Sequence, residues 1–137
     1  MRALLLTVLI SLGLSSQLQA KEVVFNATPL SRVTSSAHLT NRETLNEREK
    51  KGHPVLITKK GKNYFWASQK SRPLKYEVSG AFHIFIDTKS GSYIKIFDSE
   101  LLPGSMEKSR PRYKFKEHMT IRMESMTYWG TAGKFEP

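Results

Sequence analysis

Two segments of alternating residues, Ala81-Phe-His-Ile-Phe-Ile-Asp87 and Ser92-Tyr-Ile-Lys-Ile-Phe97, decide the fold of this chain. The turn-forming run Thr88-Lys89-Ser90-Gly91 joins them, so the pair predicts an antiparallel β-hairpin. Neighbouring side chains of a strand point to opposite faces. The two faces of the first strand therefore carry different sets: Phe82, Ile84 and Ile86 against His83, Phe85 and Asp87. Because apolar residues occur on both faces, the sheet needs cover on both sides, which indicates a barrel or a sheet covered by a helix and long loops.

A second hairpin of the same kind is predicted earlier in the chain. Residues 55–58 and 63–67 flank Lys59-Lys60-Gly61-Lys62, where Gly61 supplies the positive φ that a tight turn requires. Both strands are short, and the first begins directly after Pro54, which forbids the continuation of a helix. The two hairpins together predict a β-rich domain.

One surface helix is predicted before the first hairpin. Thr40-Asn41-Arg42-Glu43 fits a capping box, and the helix that it opens runs to about Lys51. Gly52 and Pro54 then end it. Leu45 is its only large apolar residue, so this helix adds little to the core.

The C-terminal part predicts a loop over residues 99–112 and a final strand pair over residues 113–117 and 118–129. Proline and glycine interrupt the loop, and Met119, Ile121 and Met123 alternate with polar residues in the last strand. These elements give an α+β, β-rich fold class. We expect a small antiparallel sheet or half-open barrel of five to seven strands with one surface helix.

The chain has 137 residues, no cysteine and a formal net charge of +10. This length leaves no room for a two-domain enzyme with a cofactor-binding half, so dinucleotide-binding and P-loop folds are excluded. No disulfide can form. Stability therefore comes from burial, although small exported domains commonly rely on disulfides.

Residues 1–20 have the layout of a secretory signal peptide, with Arg2 before an apolar run and a small residue, Ala20, at the end. The run is too short for a membrane-spanning helix, for which about 20 apolar residues are needed. We therefore expect cleavage after Ala20, no integral membrane anchor after cleavage, and a periplasmic or secreted protein. An uncleaved N-terminal anchor is the alternative. Residues 21–137 then form a single β-rich domain, with residues 21–40 as a loosely structured N-terminal arm.

Positive charge is concentrated between residues 48 and 75, where nine bases accompany one acid. Basic residues interleaved with aromatic rings are typical of surfaces that bind polyanions. The span predicts an anion-binding site, whose candidate residues are Lys59, Lys60, Lys62, Tyr64, Trp66, Lys70 and Arg72. The competing interpretation is that the rings are buried and that the lysines only solvate a hairpin tip.

A second basic run is spaced by two residues: Lys108, Arg110, Arg112, Lys114 and Lys116. If this stretch is extended, its cations line one face of a strand. Such a face is costly unless it is solvated or meets an anion. Simple solvation and an anion partner are both open here.

Residues for catalysis are few. His83 and Asp87 lie four residues apart on one strand, about 13 Å at roughly 3.3 Å per residue, which is too far for a hydrogen bond. No metal-binding spacing and no G-x-S-x-G motif occur. We predict no catalytic residue, no metal and no cofactor.

The eleven residues from Gly52 to Lys62 resemble the strand and hairpin near the middle of Phd/YefM-type antitoxins. The resemblance implies a strand, a Gly-Lys turn and a second strand. It covers eleven of 137 residues, so no function is carried over from it.

These observations predict a small basic exported binding domain, non-enzymatic, that contacts an anionic envelope component, another anionic polymer or an acidic protein. One alternative is a periplasmic or secreted accessory or inhibitor protein that binds another protein. A small hydrolase is a further alternative. The sequence gives no prediction of the oligomeric state.

Overall fold

A computed structural model describes residues 20–101 and 111–137. This part of the chain is nearly all β, with 61% strand and 8% helical residues. The strands are β1 (Glu22–Ser35), β2 (Thr40–Thr44), β3 (Val55–Lys60), β4 (Asn63–Trp66), β5 (Arg72–Ser79), β6 (Phe82–Ile86), β7 (Tyr93–Asp98), β8 (Tyr113–Ile121) and β9 (Glu124–Ala132). One α-helix, α1 (Glu47–Gly52), and a short 3-10 helix, Ser99–Leu101, complete the described elements.

Eight of these strands close into an antiparallel barrel, and β2 is an additional strand. Closure depends on β1, whose first half pairs with β3 and whose second half pairs with β9. Residues 31–35 pair with β2 as well as with β9, so β2 lies on the same edge of β1 as β3. The predicted α+β sheet or half-open barrel of five to seven strands is therefore wrong. A long strand that changes partner along its length closes the sheet on itself, and closure removes the open edges.

The predicted helix over residues 40–51 is wrong in its first half. Thr40–Thr44 is strand β2, because these residues fill the open edge of β1. The capping box lies six residues later, at Asn46: its side chain accepts a hydrogen bond from the Glu49 backbone N–H at 2.9 Å, and its own N–H donates to the Glu49 carboxylate at 2.9 Å. Tertiary pairing thus overrides a local capping signal.

Both predicted hairpins are confirmed, since β3 pairs with β4 and β6 pairs with β7. The first turn is shorter than expected, because Lys59 and Lys60 belong to β3 and only Gly61 and Lys62 lie between the strands. The last strand pair turns at Arg122 and Met123 instead of at residue 118. Residues 21–40, expected to form a loosely structured arm, contain the longest described strand, β1.

Side chains fill the barrel interior. Trp66, Phe85, Ile94 and Ile96 are fully buried, and Phe25 is 1% exposed. Aromatic edges pack against one another across the interior, as in the contacts of the Phe135 ring with those of Phe25, Phe85 and Tyr113. Because these side chains pack the interior, a ligand site is expected on the outer surface.

Candidate functional site

An apolar groove with lysines along it lies on the outer face of β6, β7, β8 and β9. Its volume is about 880 Å³, within the range of small-molecule sites, roughly 300–1,000 Å³. The groove is lined by Leu30, Ser31, Phe82, Ile84, Ile86, Gly91, Tyr93, Lys95, Phe97, Lys114, Phe115, Lys116, Trp129, Gly130 and Thr131. None of these described lining residues is an acid. The groove therefore combines apolar surface with positive charge and has no negatively charged lining residue among those described.

Strand register brings the groove side chains together from four strands. Ile84 pairs with Lys95, Lys95 with Lys116, and Lys116 with Trp129. Directly paired residues share a face of the sheet, so these four side chains form one row across the outer surface. A second row joins Phe82, Phe97, Lys114 and Thr131 in the same way. Each row has one apolar residue on β6 and its lysines on β7 or β8.

The groove lysines lie beside aromatic rings. Lys95 Nζ lies 4.0 Å from the centre of the Phe82 ring. Lys116 Nζ lies 5.6 Å from the Tyr93 ring and 5.2 Å from the Trp129 ring. These distances are typical of cation–π interactions. Such an interaction orients the ammonium group but does not neutralise its charge. In the described part of the chain neither of these lysines, nor Lys114, forms an ion pair with a carboxylate.

One rim of the groove is shaped by a β-bulge in β1. Pro29 pairs with Gly130 and Ser31 with Trp129, so Leu30 is an extra residue with no partner in the β9 ladder. A bulge re-aims the side chain of its extra residue. Leu30 is 46% exposed and Trp129 43% exposed, so both offer apolar surface to a ligand.

The histidine next to the groove adds no fixed charge. His118 lies beside Tyr93, with their ring centres 5.1 Å apart, and its Nδ1 is 2.9 Å from Thr127 Oγ1. Burial, together with the charge of Lys116, lowers the pKa of His118 below its usual value. His118 is therefore neutral at pH 7, and the positive charge of the groove comes from its lysines.

The anion site predicted around residues 59–72 is not assembled as one surface. Tyr64 is 8% exposed and Trp66 is fully buried, so neither ring can stack on a ligand. Lys59, Lys60 and Lys62 lie at the turn that precedes β4, whereas Lys70 and Arg72 follow it at the opposite end of the barrel. The length of β4, about 13 Å at roughly 3.3 Å per residue, separates the two groups.

Two of these five cations have described partners. Lys59 Nζ lies 5.4 Å from the Tyr64 ring. Arg72 Nη1 lies 3.4 Å from the buried Asp87 carboxylate. Lys62 and Lys70 are exposed, and Lys60 is half-buried.

The second basic run contributes two residues to the groove, Lys114 and Lys116. Arg112 instead donates two hydrogen bonds to the Asp98 carboxylate, both at 2.8 Å, and these bonds hold the pKa of Asp98 below its usual value. Lys108 and Arg110 lie outside the described residues. The alternation of cations along β8 was the sequence signal for the groove. This signal alone was not sufficient, because the groove also requires the apolar outer faces of β6 and β7.

A buried polar network attaches the α1 segment to the barrel. The Glu117 side chain is completely buried and accepts a hydrogen bond from Trp66 Nε1 at 3.0 Å. Its other oxygen lies 2.6 Å from His53 Nε2. The His53 ring stacks on Tyr128, with ring centres 3.8 Å apart. The His53–Glu117 pair therefore has a structural role, since it connects the residue after α1 to β8 through the core.

Another half-buried histidine also has a described side-chain partner. His83 Nδ1 lies 2.7 Å from the Tyr76 hydroxyl, and burial lowers the pKa of His83. Within residues 20–101 and 111–137, no group of three or more His, Asp or Glu side chains is placed to hold a metal ion. None of the described helices has the length and apolar character needed to span a bilayer.

The groove is thus the described surface at which a ligand would find both apolar contacts and uncompensated charge. No family model, no curated protein and no solved structure matches this chain.

Proposed function

We propose that this protein is a non-enzymatic binding domain whose outer groove holds an anionic amphiphile, a molecule with an acidic head group and an apolar chain. One observation carries the proposal: the groove has apolar walls, and every charged residue among its described lining residues is a lysine. The lysines bind the head group of the ligand, and the apolar side chains of the two rows bind its apolar chain. The signal-peptide pattern of residues 1–20 supports a site of action outside the cytoplasm, as a periplasmic or secreted protein.

The charge pattern favours an amphiphile over a simple polyanion. Lys95 and Lys116 are embedded among rings, and Ile84, Phe97 and Trp129 provide contact surface that a fully hydrated polymer would leave unused. Apolar burial contributes up to about 0.8 kcal/mol per methylene. Chain length should therefore control affinity as strongly as the head group does.

A ligand panel tests this function. The purified protein is titrated with decyl phosphate, decanoate, decanol, decyltrimethylammonium and inorganic phosphate, with the amphiphiles kept below their micelle concentrations. Trp129 fluorescence reports binding, since this ring lines the groove whereas Trp66 is buried. We expect decyl phosphate and decanoate to bind about tenfold or more tightly than decanol. This difference corresponds to about 1.4 kcal/mol or more of binding free energy from recognition of the charged head group. Inorganic phosphate and the cationic amphiphile should bind weakly.

Two results would contradict the proposal. Equal binding of decanol and decyl phosphate would show that the lysines do not recognise charge. Equal binding of inorganic phosphate and decyl phosphate would show that the apolar walls contribute nothing. Comparison of decanoate with decyl phosphate separates a fatty-acid ligand from a phosphate-bearing one.

A further inference from the structure

Two hairpin tips project from one end of the barrel and expose large apolar side chains. Leu39 belongs to the β1–β2 turn, and Ile121 and Met123 lie at the β8–β9 turn; the three side chains are 69%, 50% and 83% exposed, respectively. We call Leu39, Ile121 and Met123 the apolar prong. Exposed apolar side chains that cluster mark sites of protein or membrane contact.

Strand register places the two tips side by side. Ser35, the last residue of β1, pairs with Thr40 on one edge and with Ser125 on the other. The β1–β2 and β8–β9 turns therefore flank the end of β1. Their centres are two strand spacings apart, about 10 Å at roughly 4.8 Å per spacing.

The charge at this end of the barrel is mostly positive. Arg42 and Arg122 are exposed beside the prong, and Lys70 and Lys89 are exposed on the other turns at the same end. Of the acids on these turns, Asp87 is buried and bound to Arg72, which leaves Glu124 as the exposed one among the described residues. This pattern complements a surface of anionic head groups.

We propose that the apolar prong docks on the surface of an anionic lipid bilayer, with its three side chains inserted between head groups. Two narrow tips supply little of the roughly 800 Å² per partner that a specific protein interface buries. A bilayer needs no shape complementarity, and insertion of a few apolar side chains together with nearby cations is the usual way in which peripheral proteins bind it. This inference does not depend on the ligand of the groove.

Vesicle sedimentation tests the prong with a matched control at the opposite end of the barrel. The prong variant is Leu39→Ser/Ile121→Ser/Met123→Ser. The control is Val23→Ser/Val78→Ser/Leu101→Ser, whose side chains are 57%, 57% and 48% exposed. Against mixed phosphatidylglycerol and phosphatidylcholine vesicles, we expect the prong variant to bind about tenfold or more weakly than the unchanged protein and the control within about threefold of it.

A labelling experiment reads insertion directly and does not depend on the stability of a triple variant. The chain has no cysteine, so Met123→Cys and Val78→Cys each provide one unique position for an environment-sensitive fluorophore. The label at position 123 should shift to the blue on anionic vesicles and remain unchanged on pure phosphatidylcholine. The label at position 78 should not respond to either.

Three results would overturn the inference. Vesicle binding that both the prong variant and the control retain in full would assign binding to net charge, which neither variant changes. A blue shift at position 78 instead of 123 would place the membrane at the other end. A concentration-dependent dimer that the prong variant abolishes would make a second copy of the chain the occupant of the prong.

Discussion

Replacement of Lys95, Lys114 and Lys116 together by glutamate should weaken the binding of decyl phosphate by about a hundredfold or more, which corresponds to about 2.7 kcal/mol. Each of these lysines lines the groove, and no carboxylate in the described part of the chain compensates its charge. Each ammonium should contribute about 1 kcal/mol to an anion held on a partly apolar surface. The reversed charge then adds repulsion. Titration with Trp129 fluorescence measures the change.

The matched control reverses the same number of charges at the β3–β4 turn, as Lys59→Glu/Lys60→Glu/Lys62→Glu. These lysines belong to the anion site predicted from the sequence, and they lie at a hairpin turn remote from the groove rows. We expect the affinity of this variant to stay within about threefold of the unchanged protein, because salt largely screens the interaction between a ligand in the groove and charges at a distant hairpin turn. Equal weakening in both variants would mean that net charge drives binding, and the groove would then lose its special role.

Glu117→Ala should reduce the free energy of unfolding by about 3–5 kcal/mol, because it leaves two partners of one buried carboxylate without their hydrogen bonds. The substitution leaves the buried Trp66 N–H without its acceptor and His53 without the carboxylate at 2.6 Å. Because the total stability of a domain is about 5–15 kcal/mol, this variant should be markedly unstable. Urea unfolding monitored by Trp66 fluorescence measures the loss.

Glu117→Gln separates hydrogen bonding from charge at the same position. The amide oxygen can still accept from Trp66 Nε1, so we expect a smaller loss of about 1–2 kcal/mol. Glu136→Ala serves as the surface control, since this side chain is 67% exposed, and its effect should stay within about 0.5 kcal/mol. A cost below about 1 kcal/mol for Glu117→Ala would show that the network does not stabilise the barrel.

Local patterns in the sequence predicted the hairpins but could not predict the closure of the barrel. Alternation and turn residues are short-range signals, and they identified β3–β4 and β6–β7. Closure depends on β1 changing partner from β3 to β9, which is a long-range pairing that no local pattern encodes. β5 was missed, although its Leu74, Tyr76 and Val78 alternate with Lys75, Glu77 and Ser79 as in a half-buried strand. The helix start was misplaced because pairing with β1 outweighed the capping signal of Thr40.

The same limit applies to the candidate site. Apolar residues on both faces of β6 and the cation spacing along β8 were visible in the sequence. Only the register through β7 shows that Ile84 and Lys116 lie on the same outer face. The residues of the predicted basic and aromatic site are close in sequence but do not share one surface. The alternation of side chains along β4 buries the Tyr64 and Trp66 rings.

Isoleucine methyl NMR during titration with decyl phosphate tests the central claim most directly. Ile84 and Ile86 line the groove, whereas Ile57, Ile94 and Ile96 are completely buried in the core. We expect the methyl signals of Ile84 and Ile86 to shift together and to saturate with one dissociation constant, while those of the three core residues stay in place. Shifts confined to Ile94 and Ile96, or saturable binding that leaves Ile84 and Ile86 unchanged, would contradict a ligand site in the outer groove.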